Sequence, residues 1–376
     1  MWAKEDLLKL YDNRPDPRTD NQKIDYDKKK YDWSGWVLET IQEIRPALEK
    51  LEDVHLHFKT SELVELRKHL EKLTNSKEFS QKLDQFLLEY ISPIIDRDDF
   101  LVQSTCGIRM VVPNQANLGR LLNFHTGYWT GYSDNMTTCW VPLTRAYESN
   151  TMQVVSWEDT VPLMKKIYDE KLNMSEIEKL CVEKAYPVNL DPGQAWLFNQ
   201  AELHGNINNE TGVSRLSFDV RWALPEGSFG IRRAGSFFRF LGTHYELDEN
   251  RINKNIPWIT FIDQNSEYIG LTPHFMIREF MTNYVSKYKL NIVEWANALW
   301  YLGGWSPNLL HLINQDNELG IIMPSVHCLS CDVDRRMEIF KLAIDKGIQI
   351  LFCDENILLD NAKDLDLIEK IYNLET

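Results

Sequence analysis

The chain has 376 residues, 43% of them hydrophobic, enough to bury a sizeable core in two domains or in one domain with a large appendage. Its 41 Lys and Arg against 56 Asp and Glu give a formal charge of −15, which disfavours nonspecific attraction to phosphate backbones or anionic membranes, so neither nucleic acid nor a membrane is an expected partner. No apolar run approaches a bilayer span, MWAKEDLLKLYDNRPDPRTD lacks the regions of a signal peptide, and the six cysteines are too scattered for a disulfide scaffold; reduced thiols and a cytoplasmic location are the expectation.

Residues 1–35 are polar and rich in Pro, Asp and Lys, and read as an extended arm. From Trp36 to Ile95 the pattern is helical: Val37, Ile41, Ile44 and Leu48 recur at three- and four-residue spacing, as do Leu63, Leu66, Leu70 and Leu73, and a third run extends from Phe79 to Ile95. Ser76-Lys77-Glu78-Phe79 has the form of a helix start. From about Phe100 to Trp222 the texture turns to short β-rich runs such as FLVQSTCGIRMVV, MTTCWVPLT, QAWLFN and SRLSFDVRW, the pattern of an antiparallel sandwich or jelly roll. A helical insertion between Trp157 and Tyr186 interrupts them, and from about Asn255 strand-like and helical runs alternate, predicting a small parallel α/β domain over 255–376.

The chemistry-bearing residues fall in the β-rich part. His125 lies in FHTGYW, and His204, 79 positions later, in LHGN; a jelly roll can bring such a pair together as two imidazole ligands. Eleven residues after His204 comes Arg215, beyond the turn-like NINNETG, and strand alternation puts Arg215 and Ser217 on one face and Leu216, Phe218 and Val220 on the other. A guanidinium fork with a hydroxyl beside it suits a bidentate carboxylate contact, the grip that 2-oxoglutarate needs at its far end while its keto-acid end chelates iron.

The stretch from about 95 to 222 resembles the Fe(II)/2-oxoglutarate oxygenases of the phytanoyl-CoA dioxygenase type, especially members found sporadically in bacterial surface-carbohydrate gene clusters. FHTGYW, TTCWVPLTRAYESNTMQVV and GQAWLFNQAELHGNINNETGVSRLSFDVRW carry the resemblance. It implies a double-stranded β-helix (jelly roll, cupin-like) with N-terminal helices over 36–235, iron at His125 and His204, the cosubstrate carboxylate at Arg215 with Ser217, and consumption of O2. The family has an acid two residues after the first histidine, where this chain has Gly127. In related radical halogenases the same acid is Gly or Ala and a halide such as chloride takes the vacated position. Three readings follow: halogenation, which is the expectation here, an oxygenase completed by water or by a remote acid such as Asp134, Glu148 or Glu202, and a binding scaffold without iron. The intact Arg-x-Ser argues against the last. The substrate expected is a small carbohydrate or sugar-linked molecule.

Trp129 and Tyr132 follow the first histidine closely enough to offer an aromatic wall, and Gln103 and Arg109 are pocket candidates by position on the first strands. His55 and His57 have no third ligand nearby, and the Cys328–Cys331 pair has no second pair at zinc spacing. Residues 255–376 resemble a small protein family of the same gene clusters through TPHFMIREFMTNYVSKYKL and GIIMPSVHCLSCDVDRRMEIFKLAIDKGIQILFCDENILL, with a β/α order loosely similar to serine-recombinase catalytic domains. That resemblance transfers no catalytic signature; a homo-oligomer formed through this domain is the expectation.

Overall fold

The computed structural model describes residues 8–12, 21–113, 123–227, 229, 232–243, 247–262, 274–297, 307–315, 318–330 and 332–374. The chain divides into two units, residues 1–233 with 237–242, and residues 234–236 with 243–376.

In the first unit, β1 (Gln22–Asp25) comes from the segment expected as an arm and closes one side of the main sheet. Farther upstream in that segment, the Tyr11 hydroxyl donates to the Ala201 carbonyl at 3.0 Å. The helical stretch forms α1 (Trp33–Gln42), α2 (Leu63–Thr74) and α3 (Lys77–Tyr90). Asp32 accepts from the Gly35 amide and Ser76 from that of Phe79, which sets the start of α1 and of α3. The apolar stripes of the three helices, including Val37, Leu66, Leu70 and Phe86, pack on one face of the sheet.

That sheet holds β1, β2 (Leu101–Gln103), β3 (Ile108–Val111), β4 (Met136–Pro142) and three later strands. Between them run β5 (Gln153–Val154), the helical insertion α4 (Trp157–Glu170) and α5 (Met174–Lys184), then β6 (Tyr186–Pro187). β7 (Gln194–Asn199), β8 (His204–Gly205), β9 (Arg215–Ala223) and β10 (Phe238–Phe240) follow. The main sheet has the order β1-β7-β4-β9-β2-β10 with β3 also on β9, and a smaller sheet has the order β6-β5-β8. Every pairing in both is antiparallel, so the first unit combines helices with antiparallel sheets. Residues pointing outward from β9, Leu216, Phe218, Val220 and Trp222, join the helical core, where Phe218 meets Trp33 at 5.5 Å and Phe79 at 5.8 Å between ring centroids.

The second unit contains β11 (Trp258–Ile262), α6 (His274–Tyr288), β12 (Ile292–Asn297), α7 (Pro307–Asn314), β13 (Gly320–Met323), α8 (Val333–Asp345), β14 (Gln349–Phe352), β15 (Ile357–Leu359) and α9 (Leu365–Tyr372). Its sheet runs β12-β11-β13-β14-β15, parallel except for the β14/β15 hairpin. β13 and β14 are buried throughout, which explains the unbroken apolar runs GIIM and ILF. Among the described residues no helix is long and apolar enough to cross a membrane. Cys106, Cys139, Cys181, Cys328 and Cys353 are buried thiols, while Cys331 and His244 lie outside the described residues.

Candidate active site

Alternation along β9 lays Arg215, Ser217, Asp219 and Arg221 on the face opposite the helical core, and the first three are buried. Pairing carries the same face onto the neighbouring strands: Arg109 of β3 lies opposite Ser217, and Trp140 of β4 opposite Asp219. This face, with His125 and β8, borders an open-sided cavity lined by His125, His204, Arg215, Arg109, Asp219 and Arg221, with Trp140, Met152 and Phe198 as its apolar part.

His125 and His204 meet across an antiparallel bridge in which each amide donates to the other's carbonyl at 3.0 Å. Their ring centroids are 4.5 Å apart. Each ring is turned by the same local device: His125 Nδ1 lies 2.9 Å from the Asn123 carbonyl oxygen, and His204 Nδ1 lies 2.8 Å from that of Glu202. A carbonyl only accepts, so the proton sits on Nδ1 and the lone pair of Nε2 is left for a metal. Burial holds His125 below the ordinary imidazole range. Burial, then the neighbouring His125, holds His204 well below it. Both are neutral near pH 7, the form that ligates metal.

Arg215 is 1% exposed, and every hydrogen bond it makes to the described residues is to a neutral group. Nε donates to the Asn150 carbonyl at 3.0 Å, Nη1 to Ser217 Oγ at 2.6 Å and Nη2 to Asn206 Oδ1 at 2.6 Å, with the guanidinium 5.3 Å from the Trp140 ring centroid. Among the described residues no carboxylate pairs with it. Burial, with repulsion from Arg109 behind it, pushes Arg215 down to about 9. An oriented, desolvated cation without a counter-ion is a site for an anion.

The position two residues after His125 is not open space. A Cβ built on Gly127 would lie 2.7 Å from Gln200 Cβ and closer still to Gln200 Oε1. The Gly127 amide donates to the Gln200 carbonyl at 2.6 Å, and Gln200 Nε2 donates to Thr138 Oγ1, so the side chain is tethered there. None of the three acids weighed as a remote ligand completes the pair: Asp134 and Glu148 are exposed, and Glu202 is bonded to Asn21. Among the described residues no group of three His, Cys, Asp or Glu could hold a metal.

Asp219 is the acid nearest in character to a ligand, and it is engaged. Arg109 Nε and Nη2 bond its two oxygens, the second at 3.3 Å, and Arg221 Nη1 lies 2.5 Å from Oδ2. Burial opposes its charge, but Arg109 and Arg221 outweigh that and hold it well below the usual carboxylate range. Gln103 accepts from Arg221 at 3.1 Å, and Tyr132 lies under the Arg221 guanidinium at 4.6 Å. Trp129 does not line the cavity: it packs among the satellite core of α4 and α5 and donates to the Tyr168 hydroxyl at 2.8 Å. His55 is bonded to Ser214 Oγ at 2.8 Å. Asp219, Arg221, Asn206 and Gln200 were not among the expected site residues; continuing the two-residue alternation from Arg215 would have found the first two.

No family model matches the chain. A stretch of 133 residues is 28% identical to the streptomycin biosynthesis protein StrG of Streptomyces griseus, covering 35% of this chain and 50% of that protein, so the chain spans about half the length of the curated relative it matches. Among solved structures, the apo non-heme monooxygenase ThoJ is 16% identical with a TM-score of 0.36, over 64% of this chain and 85% of that one. The non-heme alpha-ketoglutarate-dependent carbocyclase SnoK from nogalamycin biosynthesis is 14% identical with a TM-score of 0.30, over 61% and 88%. A resolvase-family site-specific recombinase from Streptococcus pneumoniae is 8% identical with a TM-score of 0.26, over 32% and 87%. These likenesses are too distant to assign the chain to a family.

Proposed function

We propose that the chain is an oxidoreductase that uses Fe(II), O2 and 2-oxoglutarate to modify an aliphatic carbon of a small, sugar-linked molecule, on a double-stranded β-helix made by its two antiparallel sheets. The observation that carries this reading is Arg215, a buried guanidinium bonded only to neutral groups, in one cavity with two neutral imidazoles whose Nε2 atoms are left for a metal. When bound, the metal and cosubstrate supply an oxidant able to take hydrogen from an unactivated carbon. His125 and His204 would hold the metal. Arg215 would take the far carboxylate of 2-oxoglutarate, its fork held in place by Ser217, Asn206 and the Asn150 carbonyl. Trp140, Met152 and Phe198 keep the cavity apolar and limit water around the reacting carbon.

The occupied position beside Gly127 favours hydroxylation over halogenation. A halide needs the space into which a side chain at 127 would have grown, and Gln200 takes that space. Water in the remaining coordination positions then suffices. A non-catalytic binding module on the same scaffold could use Arg215 for an anion but gives no role to two neutral imidazoles whose Nε2 atoms are left for a metal.

The test is anaerobic addition of Fe(II) and 2-oxoglutarate to the full chain. A visible metal-to-ligand charge-transfer band is expected, and chloride should leave it unchanged. Folded protein that develops no band overturns the assignment; a band that shifts with chloride restores halogenation.

A further inference from the structure

Arg109 and Arg221 share a single carboxylate. Both guanidiniums bond Asp219, and all three residues line the cavity that holds the imidazole pair. One positive charge is therefore in excess on this wall before Arg215 is counted. Arg221 is held still: Nη1 also donates to Gln103 Oε1, the guanidinium lies over Tyr132, and the side chain is 11% exposed. Its Nε is buried and has no hydrogen-bond partner among the described residues. Behind the same tyrosine ring stands Arg232, its guanidinium 4.9 Å from the centroid and its Nε likewise buried without a partner. A third guanidinium thus stands at Tyr132, beside the Arg221 that Asp219 bridges to Arg109.

Burying an uncompensated cation is costly, and a cluster of them more so. Arg215 has an evident anion in the proposed cosubstrate. The backbone of Arg221 stands six residues along the same strand, about 20 Å away at a strand's rise per residue, so Arg221 takes no part in the fork that would hold the far carboxylate at Arg215. The excess charge at Arg109 and Arg221 therefore belongs to a second anion.

We propose that the substrate carries an oxyanion, a phosphoryl group by preference, which binds at Arg109 and Arg221 and holds the molecule over the imidazole pair. The inference rests on the oxygenase reading only in calling that molecule the substrate; the anion site stands on the arginines alone. Asp219 is a positioning residue in this scheme. It aligns the two guanidiniums and limits their repulsion, while the donors it does not use face the incoming group. A phosphoryl group, dianionic and with three oxygens, matches two separated forks better than a single carboxylate does.

The experiment is calorimetric titration of the full chain loaded with Mn(II) and 2-oxoglutarate, so that Arg215 is already engaged. The probes are glucose 1-phosphate, glucuronate and glucose. At least one charged sugar should bind ten-fold or more tightly than glucose, weakening as salt is raised, and the stronger of the two identifies phosphoryl or carboxylate. Arg221→Gln should weaken the charged sugar at least ten-fold while changing 2-oxoglutarate affinity less than three-fold. Arg221→Lys, which keeps the charge, should recover part of the loss, and Arg109→Gln provides an independent variant should Arg221→Gln fold poorly. Equal binding of glucose and both charged sugars, or a charged sugar unaffected by Arg221→Gln and Arg109→Gln in folded protein, overturns the proposal. If 2-oxoglutarate fails to bind the wild type while a charged sugar still binds through Arg221, the cosubstrate reading falls and the anion site stands.

Discussion

The side chain of Gln200 stands where a side chain on residue 127 would begin. An Asp introduced at 127 therefore cannot simply regain a ligand position; it must displace Gln200, which is also bonded to Thr138. Gly127→Asp alone should cost about 1–3 kcal/mol of stability, the range for overpacking a buried site, and should not tighten metal binding. Combining it with Gln200→Gly, which removes the Cβ 2.7 Å away as well as the amide, should recover part of that stability and strengthen Mn(II) binding ten-fold or more, read by calorimetry. A single Gly127→Asp variant as stable as wild type and tighter for metal would show that Gln200 yields freely.

Much of this site was legible because strand alternation is strict. From Arg215 and the run SRLSFDVRW, period two separates a polar face from the apolar face that packs on the helices. What alternation could not disclose is which groups from other strands meet that face. Arg109 arrives from β3, more than a hundred positions upstream, and its pairing with Asp219 follows from a register visible only after folding. Gln200 was hidden for the same reason, since nothing in GQAWLFNQAELHG marks it as packing on Gly127. Trp129 failed differently: closeness in sequence to His125 placed it in the pocket, but the 3-10 turn over Gly127–Thr130 swings it toward Tyr168. The polar arm was read from composition, which says nothing of backbone pairing, and β1 lies within it.

Arg215 gives the sharpest functional test. Its bonds to Asn150, Ser217 and Asn206 orient the fork without neutralising it, so the incoming carboxylate gains charge-assisted hydrogen bonds at full strength. Arg215→Ala should weaken 2-oxoglutarate binding by two orders of magnitude, about 2.8 kcal/mol at 1.4 kcal/mol per decade. Arg215→Lys should lose less affinity but also the bidentate geometry. The measurement is titration of the charge-transfer band. Folding should survive, because removing a buried unpaired cation relieves as much as it costs.

Asp84 and Arg239 form a buried pair that fastens β10 to α3. Arg239 Nη1 donates to Asp84 Oδ2 at 2.9 Å and Nη2 to Oδ1 at 2.6 Å, and the Gly242 amide adds a third bond at 3.0 Å. Asp84→Ala leaves the guanidinium desolvated and should cost about 3–5 kcal/mol in denaturant unfolding. The double variant Asp84→Leu with Arg239→Met should lose much less, since an apolar pair replaces the ion pair without stranding a charge. Equal losses in both would mean the pair itself is strongly stabilising.

In the second unit Glu355 offers a test by pH. It is 1% exposed, and its oxygens accept from Ser325 Oγ at 2.5 Å and the Val326 amide at 3.2 Å, on the loops that follow β14 and β13. Burial first, then the charge of Asp354, pushes its carboxyl up to about 8. An unfolded glutamate titrates near about 4.3, so between that pH and about 8 the folded unit keeps a proton that the unfolded chain has released. Stability must then fall as pH rises through this window and level off above it. Glu355→Gln, which can accept from Val326 and donate to Ser325, removes the dependence. At pH 5 the variant and wild type should unfold at similar temperatures, whereas at pH 9 the variant should be more stable by a few kcal/mol, seen by calorimetry as a higher unfolding temperature. A gap of the same size at both pH values would mean that Glu355 does not hold its proton in the fold.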